Sequence, residues 1–158
     1  MPPKPFVDLD SIDLTNLVAG PEEIRRHNPQ RYEMEHLDGV AHLDMDAGLV
    51  VGFKDVRDDE FWVRGHIPGR PLLPGVLMCE AAAQLCSYYF NKAVDTDKFL
   101  GFGGMEEVKF RRPVAPGDRF IIVARVKELR PRRAVLECQG FVDGRMVFEG
   151  TIIGMPMR

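Results

Sequence analysis

Sixteen consecutive residues, Val76–Asn91 (VLMCEAAAQLCSYYFN), contain neither glycine nor proline and carry one formal charge, Glu80. Alanine, leucine and methionine give the stretch a helix composition. A helix with a single charge has little to show to water, so the rest of the chain must bury it. The sequence after it reads as strands: Phe99–Gly103, Glu107–Phe110, Arg119–Leu129, Ala134–Val142 and Met146–Ile153. The turns between them fall at Pro116-Gly117-Asp118, Pro131-Arg132-Arg133 and Asp143-Gly144, and Asp-Gly between apolar runs is a strong hairpin signal. One buried helix followed by several long strands predicts an α+β fold, a curved antiparallel sheet wrapped around the helix.

Ahead of the helix, Gly48–Val56 and Glu60–Arg64 are β-branched or aromatic-rich and read as strands. Gly65–Gly75 (GHIPGRPLLPG) reads as a rigid loop. Gly20-Pro21-Glu22-Glu23 predicts a helix start, with Arg25, Arg26 and His27 in its last turn. Residues 1–20 are expected to form an irregular arm, and 21–158 a single domain. The 158-residue length suits that.

A formal charge of -3 gives no reason to expect a nucleic-acid partner. No stretch is long and apolar enough to span a membrane, and the first residues lack the apolar run of a secretory signal. The expected location is therefore cytoplasmic. Cys79, Cys86 and Cys138 form no CxxC pair and read as small buried side chains. His27, His36 and His42 lack the spacing of metal ligands.

Glu80, Gln84, Ser87 and Asn91 are spaced by four, three and four, and so line one stripe of the helix. The stripe is either the solvent face or the wall of a site. His66 stands fourteen residues before Glu80, across a loop stiffened by Pro68, Pro71 and Pro74. The helix begins after Gly75, where free N–H groups are available to polarise a carbonyl oxygen. A base, an acid and an oxyanion site together suit elimination or hydration.

The run His66–Gln84, HIPGRPLLPGVLMCEAAAQ, resembles the HFPG-x-P-x-x-PGVL-x-x-E-A-x-AQ pattern of FabZ-type 3-hydroxyacyl-acyl-carrier-protein dehydratases. Val108–Asp118, VKFRRPVAPGD, is similar to a second segment of that family. The likeness covers roughly residues 24–155, weakly outside these two blocks. Ile67 replaces the usual Phe, and Gln30 stands where a His is common. Related FabA-type enzymes carry Asp at the Glu80 position.

The resemblance implies a hot-dog fold with His66 and Glu80 catalytic. It also implies that the Gly75 amide polarises the thioester carbonyl. The expected reaction is dehydration of 3-hydroxyacyl thioesters to trans-2-enoyl thioesters in fatty acid biosynthesis, with no cofactor and no metal. The expected partners are an acyl carrier protein, or CoA, bearing the substrate, and a second copy of the chain. The family's dimers often assemble in threes. Lys109, Arg111 and Arg112 are candidates for docking an acidic carrier. A hot-dog acyl-CoA thioesterase and a non-catalytic acyl-thioester-binding module are the alternatives.

Overall fold

The computed structural model describes all 158 residues. Six strands form one antiparallel sheet: β1 (Gly39–Asp44), β2 (Leu49–Asp55), β3 (Phe99–Phe110), β4 (Arg119–Arg130), β5 (Arg133–Val142) and β6 (Arg145–Met157). Their spatial order is β1-β2-β4-β5-β6-β3. A short helix α1 (Pro21–His27) precedes the sheet, and α2 (Gly75–Ala93) is the long central helix. This is the hot-dog architecture expected from the sequence. No helix is long and apolar enough to cross a membrane.

Strand alternation explains the wrapping. Phe120, Ile122 and Ala124 of β4, with Leu136 and Cys138 of β5, form one core with Ala81, Ala82, Leu85 and Phe90 of α2. The opposite face of the sheet presents Val51, Val123, Phe141 and Met146, and the N-terminal arm covers them with Phe6, Val7, Leu9 and Ile12. The buried Gln139 holds the arm in place: its carboxamide accepts from the Phe6 N–H (2.9 Å) and donates to the Lys4 carbonyl (3.0 Å). The arm then bridges one border of the sheet at a single residue, Val40. Val18 and Ala19 donate to the Val40 carbonyl at 2.8 and 3.1 Å, and Val40 returns a bond to Ala19 at 2.9 Å. The other border, β3, carries no such cap.

The Asp143-Gly144 turn has positive φ at both residues, 49° and 74°, as a tight hairpin of the right twist requires. Three expectations need correction. Glu60–Arg64 is a series of turns and not a strand. Gly39–Asp44 is a strand that the sequence reading missed. Phe99–Gly103 and Glu107–Phe110 belong to a single strand, β3, whose pairing with β6 slips near Gly103 and again near Glu107. Glu107 has φ 53°, which absorbs the second slip.

Candidate active site

The misread segment Glu60–Arg64 is what places His66. Lys54 lies on β2 in register with Val50 and Gly52, so it points at the helix side of the sheet. There its ammonium meets the Glu60 carboxylate at 2.6 Å, with the two side chains only 1% and 5% exposed. Burial pushes the Glu60 carboxyl up, but Lys54 and the Arg57 amide outweigh that and leave it below its usual value. The second Glu60 oxygen accepts from the Arg57 N–H at 2.8 Å, and its carbonyl accepts from Val63 at 3.1 Å. Trp62 is drawn into the core, and its carbonyl accepts from the His66 N–H at 2.8 Å. Glu60 thus satisfies a buried cation and starts a turn, which a strand would prevent.

The half-buried His66 ring is fixed by its own loop. Nδ1 lies 2.6 Å from the Leu72 carbonyl oxygen. A carbonyl can only accept, so Nδ1 carries a proton, and in the neutral ring the lone pair is left on Nε2. The neighbouring Ile67 has φ 60°, a costly conformation for a β-branched residue. It is retained by the tight loop, where Arg70 donates to the Ile67 carbonyl at 2.9 Å.

Glu80 lies on the second turn of α2. Its Oε1 accepts from Gln84 Nε2 at 2.9 Å. Gln84 Nε2 also donates to the Met34 carbonyl (2.6 Å), and Gln84 Oε1 accepts from the His36 N–H (2.9 Å). Asn28 Nδ2 donates to the Gln84 carbonyl (2.8 Å), and Asn91 Nδ2 to the His27 carbonyl (2.5 Å). The polar stripe is therefore not a solvent face. It binds the segment 27–36 to the helix and orients one carboxyl. Gln84 was visible in the sequence as a member of the stripe, but its role was not.

A cleft of about 110 Å³ opens beside Glu80, lined by Gln30, Ala83, Ser87, Phe102 and Ile152 among others. Helix α2 begins at Gly75, packed so closely that an added Cβ would lie 3.0 Å from the Phe110 ring. The first helical bond runs from Leu77 N–H to the Pro74 carbonyl at 2.9 Å, so the Gly75 and Val76 amides precede it. His66 does not line the Glu80 cleft. A larger hollow of about 690 Å³ lies under the N-terminal arm, bordered by neither residue and lined by charges of both signs. Near the open border, Val76, Phe99, Phe102, Met105, Phe110 and Met155 are exposed. In the basic cluster, Lys109 and Arg112 are exposed, but Arg111 is committed to Glu149 at 2.6 Å.

His36 is buried with neither ring nitrogen hydrogen-bonded. Burial, then Lys54, pulls its pKa from 6.5 to about 4 against the opposing pull of Glu60, with Arg57 adding to the fall. Between those values the unfolded chain binds more protons than the folded one, so stability rises with pH. His36 contributes fully above 6.5 and its contribution is lost as the pH falls toward 4. The loss expected from this residue is on the order of 3 kcal/mol. Denaturant unfolding at pH 7 and pH 4 checks this, with His36→Leu losing correspondingly less. Equal losses in both proteins would exclude His36 as the source.

Residues 28–151 match the FabA-like domain family. The chain belongs to the FabA-like family. Among its curated relatives is the 3-hydroxyacyl-[acyl-carrier-protein] dehydratase FabZ of Streptococcus mutans. It is 35% identical over 131 residues, which span 82% of this chain and 92% of that one. A Streptococcus agalactiae protein of the same name is 36% identical over 132 residues, 83% of this chain and 93% of that one. The fold is shared with the dehydratase heterocomplex ApeI:P from Xenorhabdus doucetiae, at TM-score 0.72 and 16% identity, covering 85% of this chain and 91% of that one. It is also shared with a variant of thioesterase PA1618 from Pseudomonas aeruginosa, at TM-score 0.66 and 17% identity, covering 89% and 96%. At such identities the structural likeness of this FabA-like chain speaks for its fold alone.

Proposed function

We propose that this FabA-like protein dehydrates 3-hydroxyacyl thioesters, carried on acyl carrier protein, to trans-2-enoyl thioesters for fatty acid biosynthesis. The observation that carries the reading is the His66 tautomer: with Nδ1–H held by the Leu72 carbonyl, Nε2 is a ready base. The Gly75 amide and the N-terminus of α2 polarise the thioester carbonyl and acidify C2. Nε2 of His66 removes the C2 proton, and Glu80 donates a proton to the departing 3-hydroxyl. Water leaves, and the 2-enoyl thioester remains. Gln84, bound to one Glu80 oxygen, leaves the other for the substrate. Residues 21–158 supply the catalytic domain. Lys109 and Arg112 offer free cations to an acidic carrier.

The test is to incubate the protein with 3-hydroxybutyryl and longer 3-hydroxyacyl thioesters on both carriers and follow enoyl absorbance. Release of free thiol without enoyl absorbance would point to a thioesterase instead.

His66 does not line the Glu80 cleft of its own chain, and apolar side chains are exposed along the uncapped β3 border. Both observations support a two-fold dimer in which His66 of one subunit faces Glu80 of the other. Co-expression of His66→Ala and Glu80→Gln subunits checks this arrangement. In the mixed dimer one site carries both lesions and the other is intact, so about half the activity should return. A folded mixed dimer with no activity would place each site within one subunit.

A further inference from the structure

We propose that the cleft beside Glu80 selects short acyl chains, with Gln30 and Ser87 at its inner end setting the limit. The inference rests on the dehydratase reading, which puts C3 of the substrate at Glu80. The remaining acyl carbons must then run into the space that adjoins that carboxyl. Its helix wall is Glu80, Ala83, Gln84 and Ser87, and Ser87 lies two turns, about 10 Å, beyond Glu80. The facing wall is Phe99–Phe102 of β3 with Ile152 and Gly154 of β6.

Size is the first restriction. The cleft holds about 110 Å³. A water needs about 10–15 Å³ of such space, so on the order of eight units of that size fit, and a methylene is of similar size. The inner end abuts the junction of α2 with residues 27 and 28. Asn91 Nδ2 ties α2 to the His27 carbonyl one turn past Ser87, and Asn28 does the same at Gln84.

Polarity is the second restriction. Gln30 Oε1 is buried with no hydrogen-bond partner. Ser87 is buried, and its hydroxyl meets only Asn91 Nδ2 at a long 3.4 Å. A saturated chain pressed against these groups would strip them of water and offer no donor in return, which is unfavourable. A short chain stops beside Phe102 and Ile152, short of these groups, and leaves the inner end to water. The two groups therefore work as a length gauge.

The experiment compares kcat/KM for C4, C8 and C12 3-hydroxyacyl thioesters on one carrier, using the full-length protein and its Gln30→Leu and Ser87→Ala variants. For the unaltered protein, C12 is expected to fall at least tenfold below C4. Either variant should raise the C12/C4 ratio by about threefold to tenfold, through a lower KM for C12. An unaltered protein that turns over C12 as well as C4 would overturn the length limit while leaving the dehydratase reading intact. So would folded variants with an unchanged ratio. Failure to dehydrate any chain length would overturn the dehydratase reading itself, and the length limit with it.

Discussion

His66→Ala is expected to fold normally and to dehydrate its substrates about 10²–10⁴-fold more slowly. The loss should fall on kcat, because Nε2 acts on the C2 proton and contributes little to holding the thioester. Folding should survive, because the ring is half-buried and its one recorded bond is to the Leu72 carbonyl of the same loop. Glu80→Gln should cost a similar factor for a different reason. The new carboxamide can still accept from Gln84, whose Nε2 lies 2.9 Å from the present carboxyl, so the position is kept while the acid is removed. The checks are initial rates of enoyl formation together with thermal unfolding of each variant. The intact enzyme should show a bell-shaped pH–rate profile whose limbs belong to the pair rather than to either residue. Near-normal turnover in a folded Glu80→Gln protein would remove Glu80 from the acid role.

Lys54→Met should destabilise the protein by about 3–5 kcal/mol, because it strands Glu60 as an unpaired charge in the core. The ammonium and carboxylate are 2.6 Å apart with almost no exposure, so neither has water to fall back on. Replacing both, Lys54→Met with Glu60→Leu, should recover most of that loss, since an apolar pair of similar volume often does as well as a buried ion pair. Recovery will be incomplete, because the Arg57 N–H loses the Glu60 oxygen it bonds at 2.8 Å, worth about 1 kcal/mol. Denaturant unfolding of the two single variants and the double gives the coupling directly. Strictly additive losses would mean that the two charges do not depend on each other. The single variants should also slow catalysis, since the turn that Glu60 anchors carries the Trp62 carbonyl that holds the His66 amide.

The central helix and the His66–Glu80 spacing were legible because each breaks an ordinary pattern. Val76–Asn91 is apolar on every side but one, and a lone carboxylate in such a helix is costly enough to need a reason. The Asp143-Gly144 turn was legible because few residue pairs accept two positive φ angles. Glu60–Arg64 misled because alternation alone cannot report that Glu60 is claimed by a cation six residues earlier. Lys54 was the available clue: it occupies the helix-facing register of an apolar strand, and a cation there must find an acid. β3 was split in two at Gly104–Glu106, whereas the strand passes through these residues with a slip in register on either side. The places of Gln30 and Gln84 beside Glu80 depend on the fold bringing residues 28–36 against α2, which no local pattern records.

The two borders of the sheet are unequal, and this bears on how far copies of the chain could add to one another. At β1 the chain's own Val18 and Ala19 occupy the backbone groups of Val40. At β3 nothing of the same chain does so. A sheet open at both borders could recruit neighbours without end and grow into a fibre. With one border obstructed at Val40, an incoming strand would meet a ready run of free backbone groups at β3 but an interrupted one at β1. Residues 18–19 thus act as a local guard on the β1 border, and strand addition is biased toward β3.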